Sequence, residues 1–319
     1  MYIENVKKSK LIIEQHFHGA YGVDFANCTV EEVLYLAEKL LYHGIGGFFP
    51  TFATDTVENI KKQIEVIKTA SKKQTTNQAK ILGIHLEGIF LNPEKKGIHD
   101  EKQFLDLTIE NFQKIEDNFI KIVTLAPELD KNFELIQYLK NKGIKVQAGH
   151  CTGGDLDECD GVTHLFNAMS PITHRGKSTA LSGLINDNLY TEIIADGVHF
   201  SDDTLKLILK SKPHDKILLI SDCLPITNSD MTEMNFCGKK IYYDGKKATD
   251  SNKVIAGSTN LLDKIIKRLL NMNIDAFQFI ENSYNYHNIE LNGYVWWNDQ
   301  LEIIAVEKEG HVLYRKDYM

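Results

Sequence analysis

The 319-residue sequence predicts an α/β fold: a TIM-like (β/α)8 barrel with a small, reduced β-sheet appendage formed by the C-terminal tail. Short apolar runs alternate with stretches of helical spacing from residue 11 to about residue 270. Several runs end in a histidine or an acidic residue, as in K-V-Q-A-G-H at 145–150 and I-L-L-I-S-D at 217–222. Parallel barrel strands are buried on both faces, and the residues at their carboxyl ends meet at one rim.

The predicted elements follow one another in βα order. The first strand lies within residues 11–19, and residues 29–43 form a helix with a capping box at Thr29 and Glu32. Further strands are predicted at 46–49 (closed by Pro50), 81–86, 119–125, 144–148, 162–165, 191–195 and 217–220. Helical spacing recurs between them at 56–70, 131–141 and 202–210. Each connection is long enough for a crossover helix.

A doubly wound open sheet would fit the same alternation. No G-x-G-x-x-G opens a helix, and polar residues follow strands throughout the series, which favours the barrel. We expect residues 1–287 to form the barrel, with a hairpin excursion near 236–256 whose turn is Asp244-Gly245. Residues 288–319 are expected to form a β segment packed on the barrel.

Composition restricts the functional classes. The formal charge of -8 argues against nucleic acid, because a phosphate-backbone binder usually has a basic face. No apolar window approaches a membrane span, and no secretory signal is present at the start of the sequence. The five cysteines form no C-x-x-C pair, which is typical of reduced thiols. We therefore expect a cytoplasmic protein with a small-molecule partner, without nucleic acid or membrane.

Histidines and a carboxylate at the predicted strand ends are candidate metal ligands. His16 and His18 lie two residues apart on a strand, so their side chains share one face. Glu87 follows the run I-L-G-I-H-L, where an unpaired buried carboxylate would be costly. His150 and His164 end successive strands. Each histidine alone fits an ordinary core residue, but two imidazoles, one carboxylate and an open position are typical of a catalytic zinc.

Two further residues keep alternatives open. Asp222 closes the eighth predicted strand, where it could cap the next segment or serve as a general base beside a metal. His85 shares a strand face with Glu87 and could support a ligand or belong to the core.

Four segments resemble one enzyme family: H-L-E-G-I-F-L-N-P-E-K-K-G-I-H at 85–99, V-T-L-A-P-E at 123–128, G-V-T-H-L-F-N-A-M-S-P-I-T-H-R at 161–175 and I-A-D-G-V-H at 194–199. They closely resemble the N-acetylglucosamine-6-phosphate deacetylases, which are metal-dependent amidohydrolases, over roughly residues 11–285. The resemblance implies conversion of N-acetylglucosamine 6-phosphate to glucosamine 6-phosphate and acetate, with a metal-bound hydroxide as nucleophile.

The resemblance also implies roles for individual residues. Glu87, His150 and His164 match the metal ligands, and Asp222 matches the catalytic base that later protonates the leaving amine. Members of this family bind one or two ions, and the H-x-H pair of the first strand would serve a second ion. Zinc is the favoured divalent metal, with iron, manganese or cobalt as alternatives.

Substrate contacts are implied by the same motifs. The matching residues are His99 at the sugar or acetamido end, and Asn167, Ala168, Arg175 and His199 at the phosphate end. Because cations of the phosphate site in this family come partly from the neighbouring subunit, the resemblance also implies a homodimer.

The sequence departs from the family at three places. Ile89 stands where proline usually follows L-E-G, G-K-S-T replaces E-P-G after Arg175, and few residues precede the first barrel strand. Two other functions stay open: deacetylation of N-acetylgalactosamine 6-phosphate or an unphosphorylated acetamido sugar, and a non-catalytic relative that binds sugar phosphates. A decayed relative should have lost a ligand or the base, and this sequence retains them all.

Overall fold

The computed structural model describes residues 6–314. Its strands are β1 (Lys7–Lys10), β2 (Ile12–Phe17), β3 (Gly19–Ala20), β4 (Val23–Asp24), β5 (Ile45–Phe52), β6 (Lys80–Ile81), β7 (Ile84–Glu87), β8 (Ile120–Leu125), β9 (Lys145–Ala148), β10 (Gly161–Val162), β11 (Tyr190–Ile193), β12 (Ile217–Leu219), β13 (Glu233–Phe236), β14 (Lys239–Tyr243), β15 (Ala248–Thr249), β16 (Ile255–Gly257), β17 (Gly293–Trp297), β18 (Ile303–Lys308) and β19 (His311–Tyr314).

Helices occupy most of the connections. The α-helices are α1 (Val30–Tyr42), α2 (Val57–Lys73), α3 (Ile109–Gln113), α4 (Glu134–Asn141), α5 (Thr179–Ile185), α6 (Asp202–Ser211), α7 (Leu262–Asn271) and α8 (Phe277–His287). Short 3-10 helices lie at Pro93–Lys95, Glu101–Gln103, Pro127–Leu129, Lys131–Phe133 and His214–Lys216. Of the described helices, none combines the length and the apolar character that crossing a bilayer requires.

The predicted barrel is confirmed. Its eight parallel strands follow the order β2-β5-β7-β8-β9-β10-β11-β12, and β6 pairs beside β5. Backbone bonds beyond the ladder close the seam between the last strand and the first. The amide of Asp222 donates to the carbonyl of His16 at 2.8 Å, and the amide of His18 donates to the carbonyl of Cys223 at 2.8 Å. The seam therefore joins the predicted base directly to the H-x-H pair.

Local sequence explains most element boundaries. The predicted capping box at Thr29 and Glu32 begins α1. The second barrel strand is longer than predicted, because β5 continues through Pro50 to residue 52. Its pairing with β2 is irregular there, and the amide of Phe17 donates to the hydroxyl of Thr51 at 3.0 Å. A break in the ladder tolerates a residue without an N–H group.

The barrel floor is covered by α8 and by a small sheet. On α8, Asn282 donates to the carbonyl of Ile217 at 2.7 Å and Tyr284 donates to that of Leu11 at 2.7 Å, at the amino ends of two barrel strands. The sheet has the order β1-β17-β18-β19, so the residues before the barrel add a strand to the C-terminal segment. Trp297 of this sheet is fully buried. Residues 315–319 of the predicted segment 288–319 lie outside the described range.

A third sheet, β13-β14-β15-β16, occupies the predicted excursion at the opposite end of the barrel. Its first hairpin turns at Cys237 and Gly238, whereas Asp244 caps the following turn between β14 and β15. The ring of Phe236 lies 5.0 Å from the ring of His18, measured between centroids. Lys239 donates to the carbonyl of Gly97 at 3.4 Å. This cap sheet (residues 233–257) therefore covers part of the barrel mouth.

Candidate metal centre and substrate cavity

Four imidazoles surround the carboxylate of Glu87. Its oxygens lie 3.3 Å from His16 Nε2, 3.1 Å from His18 Nε2, 3.3 Å from His150 Nε2 and 2.9 Å from His164 Nε2. All five side chains are buried. The structure thus brings together all the residues that the sequence marked as candidate ligands, in two overlapping groups that both include Glu87.

The barrel strands explain this convergence. Glu87 is the last residue of β7, and His16 lies on β2. His150, His164 and Asp222 follow β9, β10 and β12 with φ values of 48°, 30° and 50°. This left-handed region is unfavourable for residues with a Cβ atom and occurs mostly where surrounding structure enforces it. Each strand therefore ends in an abrupt turn that directs its side chain over the rim.

For His16, His18 and His150, the partner of the other ring nitrogen determines how the histidine presents its lone pair. Nδ1 of His18 lies 3.3 Å from the carbonyl of Thr51, and Nδ1 of His150 lies 2.9 Å from the carbonyl of Lys95. Because a carbonyl only accepts, each Nδ1 must carry a proton and donate it. In the neutral imidazole, Nε2 then turns an unprotonated lone pair towards Glu87, which is the form that binds a metal.

A carboxylate holds His16 in the same way. Nδ1 of His16 lies 3.0 Å from Glu192 Oε2, and Gln15 donates to Oε1 of the same carboxylate. The amide of His164 also donates to Glu192 Oε2 at 3.3 Å. Glu192 was not among the candidate residues predicted from the sequence. An acidic residue inside the apolar run Y-T-E-I-I was the available signal, since a buried carboxylate needs partners.

The ligand set fits a divalent cation. Metal–nitrogen bonds of about 2.0–2.1 Å place neighbouring tetrahedral ligand atoms roughly 3.3 Å apart. Among Glu87, His150 and His164 the corresponding separations are 2.9, 3.1 and 3.3 Å. Nε2 of His16 is buried without a hydrogen-bond partner. Lone pairs directed at one carboxylate repel each other, so a bound cation satisfies this arrangement better than hydrogen bonds alone.

Charge at the centre favours ionised carboxylates. Burial alone would raise the pKa of Glu87, but the charge of protonated His16 and a hydrogen bond from protonated His150 hold it well below its usual range. A bound cation would act in the same direction when these rings are neutral. Burial opposes ionisation of Asp222 too, but a hydrogen bond from protonated His18 and the charge of protonated His16 lower its pKa. Asp222 Oδ1 lies 3.2 Å from His18 Nε2 and 3.5 Å from His16 Nε2. The predicted base therefore lies beside the candidate ligands.

His85 belongs to the core rather than to the ligand set. Nδ1 of His85 lies 2.9 Å from the carbonyl of Gln15, and its Nε2 lies 2.8 Å from the hydroxyl of Thr124. Burial lowers its pKa to about 4, so the ring is neutral. His16, His85 and Glu192 are close enough to hold an ion, but these bonds already engage both nitrogens of His85.

His99 presents a proton, in contrast to the ligand histidines. The amide of Thr54 donates to His99 Nδ1 at 3.3 Å, so this nitrogen accepts and Nε2 carries the proton of the neutral ring. Burial and the nearby His150 hold the pKa of His99 well below its usual range, which keeps the ring neutral. Its Nε2 lies 3.7 Å from Glu87 Oε2 and is available as a hydrogen-bond donor.

A cavity of about 440 Å³ opens above these groups, within the usual size range of ligand pockets. Its lining includes four of the five predicted substrate residues: His99, Asn167, Ala168 and His199. His199 Nδ1 lies 2.9 Å from Asp196 Oδ2, which leaves Nε2 for the cavity. Arg175 is exposed and does not line this cavity. From the cap sheet, the lining receives Phe236 and residues 253–257.

Ile89 has a structural explanation. Its φ is 58°, whereas the ring of proline holds φ near −65°. The loop after Glu87 therefore has a backbone that the proline typical at this position could not adopt. The hydroxyl of Thr54 accepts from the amide of Ile89 at 3.2 Å and lies 2.9 Å from His99 Nδ1. Thr54 therefore links the altered loop to His99.

No protein-family model matches the chain. Among curated proteins, the N-acetylglucosamine-6-phosphate deacetylase of Rattus norvegicus is 31% identical over 282 residues, covering 81% of this chain and 68% of the rat protein. That of Bacillus subtilis (strain 168) is 32% identical over 259 residues, covering 77% and 65%. An N-acetylgalactosamine-6-phosphate deacetylase of Escherichia coli O157:H7 is 26% identical over 270 residues, covering 82% and 71%. The chain spans about two thirds of the length of these relatives.

Solved structures share the fold. The N-acetylglucosamine-6-phosphate deacetylase from Pasteurella multocida superposes with a TM-score of 0.87 at 24% identity, covering 98% of this chain and 88% of that one. A mutant of the enzyme from Mycobacterium smegmatis, in complex with N-acetyl-D-glucosamine-6-phosphate, gives 0.88 at 21% identity, covering 97% and 87%. At these identities the similarity establishes the barrel architecture.

Proposed function

Because the chain belongs to the N-acetylglucosamine-6-phosphate deacetylase family, we propose that it hydrolyses the acetamido group of N-acetylglucosamine 6-phosphate. Water and the amide would give acetate and glucosamine 6-phosphate. The observation that carries this proposal is the convergence of Glu87, His150, His164 and Asp222 in the lining of one cavity at the barrel mouth.

Metal binding would use residues of this chain that are already in place. Glu87, His150 and His164 would hold one divalent cation, and His16 and His18 would share Glu87 to hold a second. Zinc suits this set of imidazole and carboxylate donors, and iron, manganese and cobalt are the alternatives. When bound, such a cation lowers the pKa of water at the site towards about 7 and stabilises negative charge on a carbonyl oxygen.

Asp222 would move the proton. Its ionised carboxylate lines the cavity and lies beside the ligands, where it accepts a proton from the attacking water. The same carboxyl group then donates this proton to the amine nitrogen as the carbon–nitrogen bond breaks. Ser258, directly after the cap sheet, holds the backbone of this residue in place, because its amide donates to the carbonyl of Asp222 at 2.8 Å.

The remaining cavity residues would orient the sugar. His99 would donate its Nε2 proton to an oxygen at the acetamido or sugar end, because its tautomer presents a donor there. Asn167, Ala168 and His199 would contact the phosphate end. Arg175 lies on an exposed loop, and we propose that it reaches the phosphate site of the neighbouring subunit in a homodimer.

We also place the protein in the cytoplasm. Its five cysteines are free, which suits a reducing compartment.

The decisive experiment couples metal analysis to acetate release. We expect the metal-loaded protein to release acetate from N-acetylglucosamine 6-phosphate and to lose this activity after chelation. N-acetylgalactosamine 6-phosphate and N-acetylglucosamine, assayed in parallel, test the sugar and the phosphate. Faster turnover of either would replace the substrate and keep the chemistry. Metal binding without acetate release from any of the three would refute the proposal and favour a binding protein.

A further inference from the structure

A strained lysine of the cap sheet lines the cavity. Lys253 lies in the loop of residues 250–254 between β15 and β16, with a φ of 66° in the region that favours glycine. The buried Asp250 holds this loop: its Oδ1 accepts from the amides of Asn252 at 2.9 Å and Val254 at 3.0 Å. The amide of Lys253 itself donates to the carbonyl of Asp250 at 3.1 Å. The backbone is therefore held in a conformation that is unfavourable for lysine.

Lys253 stands out by its charge. Among the described residues that line the cavity, it is the only lysine or arginine, whereas Glu87 and Asp222 supply negative charge. Within residues 6–314 its ammonium group takes part in no hydrogen bond or ion pair. The alternative is that Lys253 is an ordinary lysine in an exposed turn. In that case glycine would suit the position better, because it adopts this φ without strain. Strain that persists at a cavity wall suggests a role for the side chain.

Lys253 lines the same cavity as the residues proposed to contact the phosphate. Asn167 and Ala168 follow β10, His199 follows β11, and Lys253 enters the cavity from the cap sheet, between β15 and β16. The cap sheet therefore adds a cation to a cavity in which Asn167, Ala168 and His199 are proposed to hold the phosphate end of the substrate.

We propose that Lys253 is a specificity-determining residue that binds the phosphate group of the substrate and selects phosphorylated over unphosphorylated acetamido sugars. This inference rests on the proposed function. An ammonium group is a suitable point-charge partner for a phosphate dianion. A cation supplied by the cap sheet would reach the phosphate from within the subunit, in addition to the arginine proposed to come from the neighbouring one, since Arg175 does not line the cavity of its own subunit.

The test compares Lys253→Ala, Lys253→Gly and Lys253→Arg with the wild type. Lys246→Ala serves as a matched control, because Lys246 is an exposed lysine of the same sheet outside the cavity. We expect Lys253→Ala and Lys253→Gly to raise KM for N-acetylglucosamine 6-phosphate about tenfold with little change in kcat. Lys253→Arg should keep most of the affinity. Binding of glucosamine 6-phosphate, measured by calorimetry, should weaken similarly, while binding of glucosamine should not change.

The glycine variant separates stability from binding. Lys253→Gly relieves the backbone strain, so we expect a higher Tm than for Lys253→Ala together with the same loss of affinity. Unchanged KM in both variants would overturn the inference, as would equal weakening of glucosamine and glucosamine 6-phosphate binding. Failure of the wild type to release acetate from any acetamido sugar would refute the proposed function itself, so the two failures are distinguishable.

Discussion

The two ends of the barrel differ in backbone conformation and in what their side chains contact. At the rim, His150, His164 and Asp222 have left-handed backbones directly after their strands. Each such residue costs roughly 1–2 kcal/mol. At the floor, Trp297 packs fully buried, with its ring 5.6 Å from that of Phe277, and its Nε1 donates to the hydroxyl of Ser9 at 3.0 Å.

This difference indicates that the two ends of the barrel have different roles. Rim residues combine strained backbones with imidazole and carboxylate groups that a bound cation would satisfy. Floor residues make ordinary apolar contacts that stabilise the closed barrel whether or not the site is filled. Substitutions at the rim should therefore affect chemistry and metal binding, and substitutions at the floor should affect unfolding.

The largest effect is expected at the rim. Asp222→Asn removes the proposed proton acceptor while keeping the shape of the side chain, so kcat for acetate release should fall about 10³-fold. Metal content and Tm should stay near the wild-type values. Asp244→Asn, in an exposed turn of the cap sheet, is the matched control and should retain activity. Wild-type turnover by Asp222→Asn would contradict the assigned role.

At the floor of the barrel, a substitution should lower stability and leave kcat unchanged. Trp297→Ala leaves a large void between the small sheet and α8, and we expect the free energy of unfolding to fall by about 3–5 kcal/mol. Its kcat at low temperature should be unchanged. Trp296→Ala changes the adjacent residue, which is only half-buried on the other face of the strand, and should cost far less. Equal destabilisation of the two variants, or a large loss of kcat, would mean that floor and rim are coupled.

We expect the smallest effect from a substitution of Glu192, which contacts the candidate ligand His16. Glu192→Gln keeps the volume but weakens the hydrogen bond that orients His16, and we expect affinity for the ion at the H-x-H pair to fall by about 10–100-fold. Chelator competition and metal stoichiometry measure this directly. The ion at His150 and His164 should be retained. Glu110→Gln, on the exposed surface of α3, is the control, and metal affinity equal to that of the control would exclude the positioning role.

Much of the centre could be predicted because its residues are unusual for their positions. Glu87, His150, His164 and Asp222 each follow an apolar run, and parallel strands bring such positions to one edge. Glu192 was missed because it lies within a strand, where only partners from β2 and from the segment after β10 make its burial acceptable. Lys253 was missed because a lysine in a polar turn is usually a solvated residue.

The sequence by itself determined the alternation of strands and helices, the residue types at the strand ends and the family to which the chain belongs. These are local properties: side-chain periodicity and residue chemistry can be interpreted without knowing which segments meet. Only the tertiary structure decided which ring nitrogens face Glu87, how β1 joins the C-terminal sheet, and which residues of the cap sheet enter the cavity. Those features arise from contacts between distant segments, whose geometry no local pattern encodes.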